Sequence, residues 1–286
     1  MANDGTNASG YIFDPENAAE MARLINQDRL TTGAIGGVFA GLSPTTIEGL
    51  HTVLDVACGP GGWVLDTAYA HPTIEIAGID ISQTMIQYAI ARARSQEISN
   101  ASFEVMDIKK PLEFSDASFD LINARLLFGV LQRNEWETFI RECSRLLRPG
   151  GILRLTEPTD MGNTNSPAHR QFTSLLTKAM WRAGYGLGDE SSIDSTFLFP
   201  LLLRKAGFED IHYQTYAFNG SADTKQWHDS NENHMVVTNV SIPVIVKTGV
   251  ASLEEYEQVC QRMLTEMMQE DFCLISHSAI VWGTKL

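Results

Sequence analysis

The sequence predicts an α/β protein in which a mostly parallel sheet of seven strands lies between two layers of helices. Three observations support this prediction. Residues 51–158 alternate short apolar runs with amphipathic segments, a glycine-rich turn at residues 59–62 follows the first run, and another turn at residues 148–151 precedes the fifth. Such alternation is typical of parallel sheets that helices cover on both faces. We therefore expect ligands to bind at the carboxyl ends of the strands.

The predicted elements follow in chain order. A helix over residues 17–30 comes first. Strands are predicted at residues 51–57, 75–80, 102–107, 119–126 and 152–157, and helices over residues 62–70, 82–96 and 135–147. Helices over residues 169–183, 195–205 and 253–268 and strands at residues 210–218 and 279–285 complete the prediction. Apolar periodicity identifies each element, and Gly and Pro mark several of the boundaries.

The segment between the last two predicted strands is more than fifty residues long. A connection of that length is more typical of a lid than of a plain loop. We therefore expect four parts: a helical N-terminal cap (residues 1–50), a core (residues 51–222), a lid insertion (residues 223–275) and the last core strand (residues 276–286).

Composition excludes several classes of partner. The chain has 286 residues and a net charge of −14 without a basic tract, which argues against nucleic acid or an anionic membrane surface. Cys58, Cys143, Cys260 and Cys273 form no CxxC pair, which is typical of a reducing compartment and predicts no metal site. The start of the chain lacks a signal-peptide pattern, and no apolar run could span a membrane. We expect a cytoplasmic protein.

The turn Gly59-Pro-Gly-Gly62 predicts a cofactor site. Glycine has no Cβ, so a ligand can approach the backbone N–H groups and the N-terminus of the next helix. Asp80 ends the second strand, where a carboxylate can accept hydrogen bonds from both hydroxyls of a ribose. Asp80 and Ser82 also favour helix caps, which is the alternative. Together these features favour a cofactor that contains adenosine.

Two further strands bring polar residues to the same edge. Asp107 could accept a hydrogen bond from an adenine amino group while Ile108 packs on the ring. The alternative is that Asp107 is a turn residue, because aspartate often follows the end of a strand for that reason. Asn123 and Arg125 share one face of the fourth strand and interrupt an apolar run that a central parallel strand should keep. A ligand explains both residues, and an ion pair is the alternative for Arg125.

Five motifs occur in order: LDVACGPGG at residues 54–62, GIDIS at 78–82, VMDI at 105–108, FDLINAR at 119–125 and LRPGGIL at 147–153. Together they resemble the class I S-adenosylmethionine-dependent methyltransferases, in particular the group with ubiquinone/menaquinone-type and natural-product enzymes. The resemblance covers residues 51–158 strongly and the flanks weakly. It implies a Rossmann-like three-layer sandwich with an antiparallel last strand. It also implies S-adenosyl-L-methionine as cofactor, S-adenosyl-L-homocysteine as product, a small-molecule acceptor with an oxygen, nitrogen or carbon nucleophile, and a place in secondary metabolism.

The resemblance also implies roles for single residues. Asp55, Gly59 and Gly61 would line the methionine part, Asp80 with Ile81 the ribose, and Asp107 with Ile108 the adenine; Asn123 and Arg125 complete the set. Ala57 stands where the family often has glycine, so this loop is expected to differ slightly. Tyr11 and Arg23 of the cap would approach the cofactor, the alternative being ordinary packing and a solvated helix face.

Two other functions stay open. A NAD(P)-dependent oxidoreductase shares glycine turns and ribose carboxylates, but its G-x-G-x-x-G pattern needs a third glycine where Val64 stands. A protein of the same fold could also bind S-adenosylmethionine without transferring a methyl group. If the acceptor needs a general base, His228 and His234 of the expected lid are the candidates, unless they are surface or packing histidines. The sequence does not indicate whether the protein is a monomer or an oligomer.

Overall fold

The central strand is β1 (Thr52–Val56), whose apolar side chains are buried on both faces. The computed structural model describes residues 11–14 and 16–286, and the polar start of the predicted cap lies outside them. β1 pairs in parallel with β2 (Glu75–Asp80) and β4 (Phe119–Arg125). β3 (Ala101–Val105) joins β2, and β5 (Leu147–Pro158) joins β4, again in parallel. The predicted parallel region is confirmed.

The last strand runs in the opposite direction. β8 (Leu274–Lys285) pairs antiparallel with β5, with β7 (Phe208–Asn219) and with the two-residue strand β6 (Asn163–Thr164). The long strands therefore follow the order β3-β2-β1-β4-β5-β8-β7. This confirms the predicted sheet of seven strands with an antiparallel last strand, and β6 is an additional short strand that was not predicted.

Helices between the strands cover both faces of the sheet. They are α3 (Gly62–Ala70), α4 (Gln83–Ser95), α5 (Trp136–Leu146) and α7 (Phe199–Lys205). On one face, Trp136 of α5 packs against Phe199 of α7 with ring centroids 4.9 Å apart. On the other face, Trp63 of α3 packs with Val53 and Ile76 of the sheet. The alternating side chains of β1 thus enter two separate apolar layers.

The remaining helices lie outside this alternation. α1 (Ala18–Ile35) and α2 (Pro44–Glu48) precede β1, α6 (Pro167–Arg182) follows β6, and α8 (Trp227–Val240), α9 (Ile242–Thr248) and α10 (Leu253–Met267) lie between β7 and β8. A third apolar cluster joins α6 to α10 through Phe172 and Met263. Among the described residues, no helix has the length and apolar character needed to cross a membrane.

Several boundaries differ from the prediction. α1 continues to Ile35, because the chain turns into the left-handed region only at Gly36 (φ 92°). β5 runs through the predicted break at residues 148–151, where Gly150 (φ 82°) and a register shift opposite β4 absorb the irregularity. β8 begins at Leu274 rather than at residue 279, because that end pairs with β6 and β7. The helices α2, α8 and α9 were not predicted.

Candidate active site

A cavity opens at the carboxyl ends of β1, β2 and β4, and α1, α6 and α8 also line it. The structure brings ten of the predicted cofactor residues to its wall: Tyr11, Arg23, Asp55, Ala57, Gly59, Asp80, Ile81, Asp107, Ile108 and Arg125. His234 also lines it, whereas Gly61, Asn123 and His228 do not. Among the described residues, no group of three His, Cys, Asp or Glu side chains is placed to hold a metal ion.

The turn after β1 is built from residues in the left-handed region. Ala57, Gly59 and Gly61 have φ values of 52°, 54° and 76°. Glycine suits the position of Ala57 because an L-residue in this conformation costs about 1–2 kcal/mol. At Gly61 a Cβ would lie 2.7 Å from the ring of Phe103 and 2.8 Å from Ala89. Gly61 therefore allows the turn to pack against its neighbours and does not contact the cavity that it was expected to line.

Asp80 braces the glycine turn and faces the cavity. Its Oδ2 accepts the N–H of Gly59 at 2.9 Å, and its Oδ1 accepts the N–H of Ser82 at 2.9 Å. Each carboxylate oxygen keeps a further lone pair, which leaves capacity for two hydroxyl donors. Burial raises the pKa of Asp80, and the backbone hydrogen bonds oppose this rise. The hydroxyl of Ser82 caps α4 by accepting the N–H of Met85. Ser82 is therefore the helix cap, and Asp80 is the residue that faces the cavity.

A buried hydrogen-bond network holds Asp55. Nδ2 of Asn123 donates to Oδ1 of Asp55 at 2.7 Å, and Oδ1 of Asn123 accepts from Arg154 at 2.6 Å. Arg154, which was not among the predicted site residues, also donates to the carbonyl of Ala40. Asn123 is therefore a bridge inside the sheet, not a ligand contact as predicted. Burial raises the pKa of Asp55 to about 7, with Arg125 and Asn123 opposing the rise.

Arg125 forms an ion pair with Asp28 of α1, and both side chains line the cavity. The predicted ion-pair alternative for Arg125 is thus present. A Cβ at Gly62 would collide with the Asp28 carboxylate, so this carboxylate lies against the start of α3. With Asp55, the cavity offers two carboxylates and a guanidinium, which are the charges that complement a zwitterionic α-amino acid. Asp28 was not among the predicted site residues, although its position four residues after Leu24 on the same helix face could have indicated it.

Tyr11 and Arg23 meet at the carboxylate of Glu20. The hydroxyl of Tyr11 donates to Oε1 at 2.7 Å, and Arg23 donates to Oε1 and Oε2 at 2.6 and 2.7 Å. Arg23 also donates to Gln27 of α1 and to Asn233 of α8. Both predicted residues therefore line the cavity, but Glu20 already neutralises the charge of Arg23.

Asp107 and Ile108 line the cavity after β3. Oδ1 of Asp107 accepts the N–H of Lys109 at 3.0 Å, and Oδ2 lies 3.3 Å from Nζ of Lys110. The turn role weighed for Asp107 is thus present beside its position on the cavity wall. Ile108 is buried and belongs to the same apolar cluster as Trp136 and Phe199.

Another part of the wall is apolar. It comprises Phe128, Met161, Phe172, Leu176, Met180 and Val237. Phe128 belongs to a short turn whose backbone is held by Glu157, because this carboxylate accepts the N–H groups of Leu127 and Phe128 at 2.5 and 3.1 Å. Burial raises the pKa of Glu157 to about 8. This buried carboxylate was not among the predicted site residues.

The two predicted bases have different surroundings. His228 is exposed and lies against the ring of Trp227, away from the cavity wall. Nδ1 of His234 lies 2.7 Å from the carbonyl of Ser230, and its Nε2 lies 3.1 Å from Nε2 of the buried His169. A carbonyl only accepts, so Nδ1 of His234 carries the proton and its Nε2 accepts from His169. Burial lowers the pKa of both rings, that of His169 to about 3. His234 is therefore a weak base whose lone pair is already used.

Comparisons with known proteins agree with this architecture. Residues 53–151 match the family described as "Methyltransferase domain". Demethylmenaquinone methyltransferase of Lactococcus lactis subsp. lactis (strain IL1403) is 24% identical over 184 residues, which are 58% of this chain and 68% of that protein. Phosphoethanolamine N-methyltransferase 3 of Arabidopsis thaliana is 29% identical over 189 residues, which are 66% of this chain and 35% of that protein.

A solved structure extends the likeness to the whole fold. Haemonchus contortus phosphoethanolamine N-methyltransferase 2, in complex with phosphomonomethylethanolamine and S-adenosylhomocysteine, covers 91% of this chain and 57% of its own, with 17% identity and a TM-score of 0.50. At this identity the likeness concerns the fold alone. Residues 53–151 form a methyltransferase domain of the class I S-adenosylmethionine-dependent kind, and S-adenosyl-L-methionine is its cofactor. The family model and the two relatives named above are all methyltransferases.

Proposed function

We propose that this chain transfers a methyl group from S-adenosyl-L-methionine to a small, uncharged acceptor enclosed between the sheet and the helices α1, α6 and α8. The observation that carries the proposal is the placement of the braced glycine turn, Asp80 and a matched set of charges in one cavity at the strand ends. Asp80 would accept the ribose hydroxyls. Asp28 and Asp55 would hold the α-ammonium group, and Arg125 the α-carboxylate.

The adenine and the reacting centre complete the arrangement. Asp107 and Ile108 would border the adenine. The cofactor supplies an electrophilic methyl group, so the acceptor's electron pair forms the new bond while the C–S electron pair stays on sulfur in S-adenosylhomocysteine. The chain itself must orient the acceptor and exclude water, and orientation alone can lower the barrier by about 7–11 kcal/mol. The apolar wall around Phe128 and Phe172 serves that exclusion.

The charges on the cavity wall favour an uncharged acceptor. Its cationic side chains, among the described residues, are Arg23, Lys109 and Arg125. Arg125 would already be engaged by the α-carboxylate of the cofactor, and Arg23 and Lys109 pair with Glu20 and Glu135, respectively. A phosphorylated acceptor would need a free cation, which this wall does not supply. Of the two acceptors in the relatives' names, demethylmenaquinone and phosphoethanolamine, the uncharged one is the better guide to this chain.

The arrangement of the chain and its location are part of the same proposal. Residues 1–50 act as a cap, residues 51–222 as the cofactor-binding core, residues 223–275 as a lid and residues 276–286 as the last core strand. The four cysteines are unpaired, which suits the reducing cytoplasm, and the charge of −14 does not suit nucleic acid.

Two measurements test the proposal. Calorimetry should detect S-adenosylhomocysteine binding to the purified protein, and absence of binding would overturn the cofactor assignment. Labelled S-adenosylmethionine is then incubated with uncharged phenols, amines and carbon acids, and with phosphoethanolamine as the charged comparison. Label is expected in the uncharged class. Binding without transfer to any acceptor would instead support the alternative of a non-methylating protein with the same pocket.

A further inference from the structure

A second cavity adjoins the cofactor cavity. Six residues line both: Gln27, Leu126, Phe128, Met161, Asn233 and His234. Its volume is about 190 Å³. On the same measure of cavity volume, a single water molecule needs about 10–15 Å³. The second cavity is therefore large enough for part of an organic molecule. The shared wall makes it a natural extension of the space in which the acceptor would bind.

A carboxylate and an imidazole are paired on the wall of the second cavity. Asp160 follows β5, and His277 belongs to β8. Nδ1 of His277 lies 2.7 Å from Oδ2 of Asp160. Oδ1 of Asp160 accepts the backbone N–H groups of Gly162 at 2.8 Å and of His277 at 3.1 Å. Three hydrogen bonds therefore fix this carboxylate and orient the imidazole.

The pairing decides which ring nitrogen carries the proton. Both oxygens of Asp160 act as acceptors, so the proton of neutral His277 lies on Nδ1. Nε2 then keeps its lone pair, and within residues 11–14 and 16–286 no group is hydrogen-bonded to it. An imidazole oriented by a carboxylate, with Nε2 available, is the arrangement of a general base.

The Nε2 lone pair is available in His277 but not in His234, the histidine that was predicted from the sequence as a base. The Nε2 lone pair of His234 accepts a hydrogen bond from His169, and both rings are buried enough to disfavour protonation. His277 is 40% exposed and Asp160 is 32% exposed, so an imidazolium at His277 would be partly solvated and paired with a carboxylate. The structure thus offers one histidine suited to accept a proton and one suited to hold the wall in place.

We propose that the second cavity is the acceptor subsite for a ring-bearing hydroxyl compound, such as a phenol, and that His277, positioned by Asp160, is its general base. The inference rests on the proposed methyl transfer and adds the acceptor class. The O–H bond breaks, its proton goes to Nε2 of His277, and the electron pair left on oxygen forms the bond to the methyl carbon. The imidazolium is stabilised by Asp160 until the proton leaves to water.

The test compares a hydroxyl acceptor with a matched amine. The probes are 2-naphthol and 2-naphthylamine, because the neutral amine presents its lone pair without losing a proton first. His277→Asn is expected to lower kcat/KM for 2-naphthol at neutral pH by about 100-fold or more, within the usual range for general-base catalysis. The loss should shrink as pH approaches about 10, where a phenol ionises without help. The amine reaction should change by less than about threefold.

Asp160→Asn separates positioning from the presence of the ring. The amide can donate to Nδ1 where the carboxylate accepted, which moves the proton to Nε2 and removes the base while the imidazole remains. We expect a selective loss for 2-naphthol here too. His51→Asn is the matched control, because His51 is exposed and precedes β1 at the opposite edge of the sheet. It should change neither reaction.

A binding measurement avoids dependence on turnover. With S-adenosylhomocysteine present, the wild-type protein should bind 4-nitrophenol as the coloured phenolate, and the His277→Asn variant should bind it as the neutral phenol. Equal losses for both naphthyl probes, an unchanged variant, or a wild-type protein that binds S-adenosylhomocysteine but no hydroxyl probe would each overturn this inference and leave methyl transfer standing. Failure to bind S-adenosylhomocysteine would overturn the proposed function first.

Discussion

Replacing Asp80 with alanine separates a ribose ligand from a residue that only stabilises the turn. In the free protein the carboxylate accepts two backbone N–H groups at 2.9 Å, and two lone pairs remain for a diol. A hydrogen bond to a charged group contributes about 1.5–3 kcal/mol, and water in the vacated space recovers part of that. We therefore expect the Kd of S-adenosylhomocysteine, measured by calorimetry, to rise at least tenfold, or about 1.4 kcal/mol.

The same substitution leaves the N–H groups of Gly59 and Ser82 without their acceptor, so a loss of folding must be excluded. Thermal unfolding and circular dichroism of the variant provide that check, and Asp80→Asn, which keeps one acceptor oxygen, should give an intermediate Kd. Asp189→Ala is the matched control, because Asp189 is exposed and its side chain bonds only within its own turn, to Ser191. A folded Asp80→Ala protein with a Kd within twofold of wild type would refute the ribose assignment.

Three further predictions follow from the buried groups. Because the pKa of Asp55 is raised to about 7, S-adenosylhomocysteine affinity should fall by up to tenfold for each pH unit below 7, and calorimetry should find this dependence absent in Asp55→Asn. The stability of the protein without ligand should depend on pH in the opposite direction. The contribution of Asp55 to the free energy of unfolding falls as pH rises from 3.8 to about 7, because in this range the carboxyl is protonated in the folded protein and ionised in the unfolded chain. Gly61→Ala should lower Tm more than Gly207→Ala: both have positive φ, but only at Gly61 would a Cβ meet other atoms, at 2.7 Å; equal shifts would contradict the packing account. Arg154→Met should cost about 3–5 kcal/mol in denaturant unfolding, because it leaves buried acceptors unpaired, and a loss below 1 kcal/mol would contradict that role.

The strand-end site was predictable because its signals are local. Apolar runs and glycine breaks define β1, the turn and α3, and the parallel arrangement then requires Asp55, Asp80 and Asp107 to meet at one edge. The same reasoning places Arg125 there, as the structure also does.

The remaining features depend on contacts between distant parts of the chain. Asn123 was predicted to face a ligand, but Arg154 on the neighbouring strand uses its amide oxygen. His228 and His234 belong to one helix, yet His228 lies against its neighbour Trp227 whereas His234 hydrogen-bonds to His169, 65 residues away. Asp160 and His277 are 117 positions apart and meet only because β8 returns beside β5. Hydrophobic periodicity carries no information about pairs of residues that are distant in the sequence. The residues that would bind the acceptor therefore could not be predicted from the sequence.

A crystal structure with S-adenosylhomocysteine would show whether the cavity at the ends of β1, β2 and β4 holds the adenosyl-amino acid. We expect both ribose hydroxyls within hydrogen-bonding distance of the Asp80 carboxylate. We also expect the amino-acid group between Arg125 and the carboxylates of Asp28 and Asp55. Ligand density that places the ribose away from Asp80, or outside this cavity, would refute the cofactor assignment.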